Sequence, residues 1–179
     1  EVDLIEDIAI AYGYENFISE IPEISTIGQE DSKEIIKRKI SNILIGLKTI
    51  EVSNYHLTNK KNEFAKMGIS KKQEEKFIEV EESKTDYTIL RKYLTPYLLK
   101  NISENVDSEY PQNIFETGKV FKLIDQKIIE KENLAAAITP GNFTKIKQII
   151  EYLFRMINIK INFKEPEAFP LHFIEGRVA

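Results

Sequence analysis

Cysteine and tryptophan are absent from the 179 residues, and histidine occurs only at His56 and His172. Without cysteine there is no disulfide framework, no thiolate nucleophile and no zinc held by Cys clusters. Two histidines leave little material for a Ser-His-Asp triad or a His-rich metal site. The seven glycines are scattered. They form neither GxGxxG nor GxxxxGK[ST], which excludes nucleotide binding through those loops. Arginine, the usual bidentate clamp on phosphate, is limited to Arg38, Arg91, Arg155 and Arg177, a set that does not suit an ATP-using active site. No apolar run approaches the roughly 18–20 residues that cross a bilayer, and no signal segment opens the chain. These absences predict a cytoplasmic protein with no membrane partner.

What is present is enough to fold. With 42% hydrophobic residues, a chain of this length buries about two-thirds of the surface its unfolded form exposes, as one domain or one domain plus a fragment. The 25 basic residues are outnumbered by 29 acidic ones, for a net charge of −4. Such a balance argues against indiscriminate binding to nucleic-acid backbone, DNA included, so any RNA contact has to be local. Glu1 is not an initiator methionine, and the strand-like tail Phe173 to Ala179 has no closing turn, so a fragment cut at both ends is expected.

Along the chain, Leu4, Ile5, Ile8 and Tyr12 recur on one helical face, with Asp3 and Glu6 as a capping-box-like start and Gly13 as a stop. The period is lost from Asn16 to Glu30, which places a domain boundary at residues 26 and 27. A second helix begins at Asp31 or Ser32, because Ile36, Ile40, Ile43, Leu44 and Leu47 share a stripe. Ile35 and Ile45 lie off it, which suggests either a second buried side or two isoleucines on a wet face. Val52 to Thr58 reads as a strand with an irregular point near Asn54. A helix from Lys60 to Met67 ends at Gly68. Phe77 to Val80 reads as a short strand. Thr95 caps a helix that starts at Pro96 and buries Leu98, Leu99 and Ile102.

Asn113 to Leu123 alternates around Gly118 and reads as paired antiparallel strands, while Leu134 to Thr139 looks too small and apolar for the surface. A last helix is capped by Asn142 and carries Phe143, Ile146, Ile150, Leu153, Phe154 and Ile157, and Ile159 to Phe163 alternates as a strand. Together these elements predict an α+β domain, a mainly antiparallel sheet flanked by helices.

One carboxylate cluster merits weighing, Asp3, Glu6 and Asp7, at i, i+3 and i+4 on one side of a first helical turn. Such a set can hold a hydrated Mg²⁺, or it can simply cap amides and oppose the helix dipole. The run Lys71, Lys72 and Lys76 is interleaved with Glu74 and Glu75, which suits a solvated loop better than an RNA site. His172, among apolar neighbours, suits a packed histidine better than a ligand.

Five segments, in order, resemble the beta subunit of phenylalanyl-tRNA synthetases of the archaeal and eukaryotic type. They are Asp3 to Asp7 running into Ala11 to Asn16, then Glu51 to Thr58, Leu90 to Leu99 with Asn101, Phe115 to Phe121, and Phe173 to Ala179. The resemblance implies that residues 1–26 end a small helical domain and 27–179 form a core module of the class II synthetase fold, truncated at the C-terminus and catalytically silent. The residues agree with silence. After Leu90-Arg91 the chain continues Lys92-Tyr93-Leu94 instead of a Thr-His-Thr run, and Lys122 follows the strand where class II enzymes place an arginine on the ATP α-phosphate. Lysine is a point charge without the guanidinium fork.

The resemblance further implies a tetramer of two alpha and two beta chains that attaches phenylalanine to tRNA(Phe), with ATP used by alpha. It assigns Asp31 to Thr58 to the alpha–beta interface, and Asp3, Glu6 and Asp7 to a Mg²⁺ shared with alpha. Asp7 stands where glutamate is usual. A regulatory or amino-acid-sensing paralogue without ligase activity is the alternative, and the acidic opening helix argues mildly against it.

Overall fold

The computed structural model describes residues 2–24, 27–67 and 77–163. The chain divides into two units, Glu1–Asp31 and Ser32–Ala179. In the first, helix α1 (Val2–Tyr12) starts one residue before Asp3, which therefore sits inside the first turn and not at the cap. Gly13 ends it at φ 93°, a conformation open to glycine, and its amide reaches the Ala9 carbonyl at 3.0 Å. A 3₁₀ turn (Tyr14–Asn16) follows, and the described residues after it, 17–24 and 27–31, carry no regular structure. Helix α1 buries none of its residues, so the apolar face of Leu4, Ile5, Ile8 and Tyr12 is exposed.

The second unit begins with α2 (Ser32–Gly46) and continues through β1 (Ile50–Glu51), β2 (Leu57–Thr58), α3 (Lys60–Glu63), a 3₁₀ turn (Ala65–Met67) and β3 (Ile89–Leu90). It is completed by α4 (Thr95–Glu104), β4 (Gln112–Ile124), β5 (Lys127–Thr139) and α5 (Phe143–Met156). The unit is α+β. Its main sheet is small and mixed, in the order β1-β4-β5, with β1 parallel to β4 and β5 antiparallel to it. Strands β2 and β3 form a separate antiparallel pair.

Leu44 from α2, Phe115 from β4 and Leu153 from α5 make the core, with Ile40, Ile43 and Ile149 packed around them. Most of the α2 stripe is thus the buried face, but Ile36 is 53% exposed, and so is Ile45. Both helices close on a left-handed residue that is not glycine: Lys48 at φ 60° after α2 and Asn158 at φ 61° after α5. The amides of Thr49 and Ile159 then turn back to the carbonyls of Leu44 at 3.1 Å and Phe154 at 2.8 Å. The Asn142 side chain caps α5 by accepting from the Lys145 amide at 2.9 Å.

Six sequence expectations are corrected. Residues 113–123 are not two strands but one, which pairs with β5 from Gln112↔Thr139 to Ile124↔Lys127. The hairpin turn lies further on, at Asp125 and Gln126, whose φ values of 48° and 62° match the twist of the flanking strands. Leu134 to Thr139 belongs to edge strand β5, and Leu134 is 38% exposed. Phe77 to Val80 makes a single bridge, Glu79↔Ile89, and 159–163 form no strand. Helix α4 is capped at Leu94 without a side-chain bond, and it buries Pro96, Tyr97 and Leu98 while Leu99 is exposed. The helix from Lys60 is a single α-turn followed by a 3₁₀ turn.

Candidate functional site

Arg91 follows directly after β3, and its backbone bridges two elements: the amide reaches the His56 carbonyl at 2.8 Å, and the carbonyl accepts from the Phe121 amide at 3.0 Å. The side chain is thereby aimed across β4. Its Nε donates to the Lys119 carbonyl at 2.8 Å. Nη1 donates to the Asn54 carbonyl at 3.1 Å and to Glu116 Oε1 at 2.5 Å. The Arg91 and Glu116 side chains are only 1% and 2% exposed, so this ion pair is shielded from water. Glu116 also accepts from Asn54, at Oε1 from the amide (3.3 Å) and at Oε2 from Nδ2 (2.8 Å). Here the irregular point near Asn54 has a structural use: residues 52–56 leave the sheet between β1 and β2, and Asn54 ties that excursion to β4.

Gly118 makes the arrangement possible. A Cβ at this position would collide with Arg91 Nη2. The glycine read as a bend is a clearance site in an unbroken strand.

A second buried carboxylate lies alongside. Glu63, at the end of α3, is 1% exposed and accepts three hydrogen bonds, from the amides of Lys92 (2.8 Å) and Tyr93 (3.1 Å) at Oε1 and from the Tyr97 hydroxyl (2.6 Å) at Oε2. Burial pushes the Glu63 carboxyl above its usual range despite these donors. Burial and the adjacent Glu63 push the Tyr97 phenol upward as well. The Arg91 guanidinium carbon stands 5.9 Å from the Tyr97 ring centroid, joining both carboxylates into one buried polar layer. Buried polar groups in such a layer hold segments in place; they do not offer a free nucleophile or a phosphate clamp.

The other sequence candidates lie elsewhere. Asp3, Glu6 and Asp7 are all exposed on α1. Among the described residues, no group of three or more acidic or histidine side chains is placed to hold a metal ion, so these three do not close a site by themselves. Lys122 is half-buried on β4, close enough to Lys92 for the two charges to repel. His56 is exposed, 5.5 Å from the Phe121 ring, and with Tyr55, Leu57, Thr85 and Tyr87 it lines an open groove of about 420 Å³. Arg38 lies on α2 and Arg155 on α5. His172, Arg177, the 71–76 charge run, Gly68 and the closing segment 173–179 lie outside the described residues.

Sequence reasoning missed Glu63, Glu116, Asn54 and Tyr97. For Glu116 a signal existed: an acid directly after the apolar pair Ile114-Phe115 in a buried strand demands a partner.

Comparison with known proteins fits this frame. The family model described as the phenylalanyl tRNA synthetase beta chain CLM domain matches residues 18–179. Phenylalanine--tRNA ligase beta subunits are similar along nearly the whole chain. That of Pyrococcus abyssi is 35% identical, covering 98% of this chain and 32% of its own. That of Methanococcus aeolicus is 34% identical over 99% of this chain and 33% of its own. The chain thus spans about a third of the length of these relatives. Among solved structures, a pyrrolysyl-tRNA synthetase from Desulfitobacterium hafniense superposes with a TM-score of 0.60 at 15% identity, covering 73% of this chain and 48% of that one. A second structure of that enzyme gives 0.56 at 16%. These likenesses speak for the fold, that of class II tRNA synthetases. By its family match and its relatives, the chain belongs to the phenylalanyl-tRNA synthetase beta chain family, in the region of the CLM domain.

Proposed function

We propose that this chain is a non-catalytic core module of a phenylalanine–tRNA ligase beta subunit. It supports attachment of phenylalanine to tRNA(Phe) by assembling with a catalytic alpha subunit, which uses the ATP. The observation that carries this reading is the engagement of Arg91. Its guanidinium is buried, bonded to one carboxylate and two carbonyls, and is not presented to solvent. A phosphate clamp has to leave its donors facing the ligand. At the position where the resemblance expects a catalytic arginine, the chain offers the point charge of Lys122.

In this reading α2 is the docking helix, with exposed Ile36 and Ile45 turned away from the core. Two alpha and two beta chains form the cytoplasmic holoenzyme. Asp3, Glu6 and Asp7 contribute carboxylates to a Mg²⁺ whose remaining donors come from alpha.

ATP–pyrophosphate exchange with phenylalanine tests the silent role. The full-length beta subunit alone is expected to give no exchange, and adding alpha is expected to restore it; robust exchange by beta alone refutes the reading. Ile45→Asp is expected to abolish co-purification with alpha while leaving beta folded. An intact complex would remove α2 from the interface. Metal analysis of an Asp3→Ala, Glu6→Ala complex is expected to show lost Mg²⁺, and unchanged content would leave both residues only opposing the helix dipole.

A further inference from the structure

The register of the β4–β5 hairpin sorts its charged side chains by face. Directly paired residues share a face, and alternate residues follow them. The face of Phe115, which packs on α2 and α5, also carries Lys119, Glu130 and Glu132. Those charges are satisfied locally, Lys119 to Glu130 at 2.8 Å and Glu132 to Lys37 of α2 at 3.8 Å.

The opposite face differs. Its outer half carries Lys122, Lys127 and Lys131, and β5 adds no acid to it anywhere along its length. Glu116, the acid of β4 on this side, is buried against Arg91. Among the described residues none of these three lysines is in an ion pair. Lys127 and Lys131 are exposed and Lys122 is half-buried. Lys92 lies close by and adds a fourth positive charge, which burial and the repulsion from Lys122 make harder to keep. In a chain of net charge −4, one strand pair therefore holds an all-lysine face.

We propose that the Lys122–Lys127–Lys131 face of the hairpin is a contact surface for the phosphodiester backbone of tRNA. This rests on the proposed role in the ligase and names a place on the module where RNA is met. Same-face residues on a strand stand roughly 7 Å apart, so Lys127 and Lys131 span roughly 14 Å along β5, with Lys122 diagonal to both. That is a line of point charges, which suits a chain of phosphates more than one compact anion. Lysine without arginine gives contacts that position a backbone without reading bases. Exposed Ile124, paired with Lys127 across the hairpin, flanks the line and gives unpaired bases an apolar surface. Such a contact is local, as the overall charge requires.

The test uses the assembled alpha–beta complex, a tRNA(Phe) transcript and a Lys122→Gln, Lys127→Gln, Lys131→Gln triple variant. Affinity is measured across a salt series. The expected result is at least a ten-fold weaker complex at low salt and a slope of log affinity against log salt shallower by about 2–3 units, one phosphate contact per lysine. Lys119→Gln, on the other face, is expected to leave the slope unchanged. An unchanged slope in the triple variant, with its thermal midpoint intact, overturns the proposal alone. Loss of alpha with unchanged tRNA affinity also overturns it, since the face would then bind protein. A wild-type complex that fails to retain the transcript overturns the proposal together with the functional reading beneath it.

Discussion

The two buried carboxylates sit side by side but are held in opposite ways. Glu116 on β4 faces a guanidinium at 2.5 Å, while Glu63 at the end of α3 is held by two amides and a phenol and, among the described residues, by no ion pair. The first is a charge neutralised by a charge. The second is an acid solvated by dipoles, and its carboxyl is shifted toward the neutral form by burial. Removing a partner should therefore be costly at β4, and smaller and pH-dependent at α3.

The largest expected effect is Arg91→Ala. It leaves Glu116 buried and uncompensated, and a loss of about 3–5 kcal/mol in urea-derived stability is expected. An Arg91→Met, Glu116→Leu double variant should recover most of that loss, because exchanging a buried pair for apolar residues of similar size is often neutral. If the single variant costs under about 1 kcal/mol, the pair is not the closed unit described here.

Gly118→Ala should come next, at about 1–3 kcal/mol, because the new methyl meets Arg91 Nη2. Combined with Arg91→Ala, its added cost should vanish, a coupling that a double-mutant cycle reads directly.

At the other carboxylate, Tyr97→Phe should cost about 1–3 kcal/mol through loss of the donor to Oε2. Glu63→Gln sharpens the contrast through pH. A carboxyl raised in the folded state contributes stability that is full below its unfolded pKa and is lost as pH rises through the folded value. The variant lacks that decline, so its stability relative to wild type should climb as pH rises from about 4 toward neutral in a series of urea midpoints. A flat difference would show that burial does not hold the Glu63 carboxyl up.

The smallest effect is Asn142→Ala at the start of α5, about 1 kcal/mol, lost from the cap to Lys145. It lies outside the polar layer and should be additive with every variant above.

How much of this was legible beforehand depended on whether the cause was local. The α5 cap and the Ile40–Leu44 stripe follow from residues three and four apart, and both stand as read. The strand break near Asn54 was visible, but its cause, a carboxylate 62 residues away, was not. Asp125-Gln126 carries no glycine to mark a turn, though both residues take left-handed backbone. The hairpin was therefore bent at Gly118, where glycine answers to a guanidinium 27 positions back in the chain. Periodicity marks an apolar face on α1, but spacing alone does not say whether such a face is buried, and none of the helix's residues is. The candidate site followed the same rule: the carboxylates that pattern singled out are exposed, and the acids that are buried left almost no pattern.

The missing side chain at Gly118 also bears on how such a module could change. Because the guanidinium lies over bare backbone and is gripped by Glu116, no single substitution frees it without leaving a buried group unmatched. A bulkier residue at 118 would evict the arginine but strand the acid beneath it, and neutralising 116 alone would leave the arginine its berth and its carbonyl partners. Presenting Arg91 to solvent with the sheet intact would take at least two coordinated changes, each destabilising without the other.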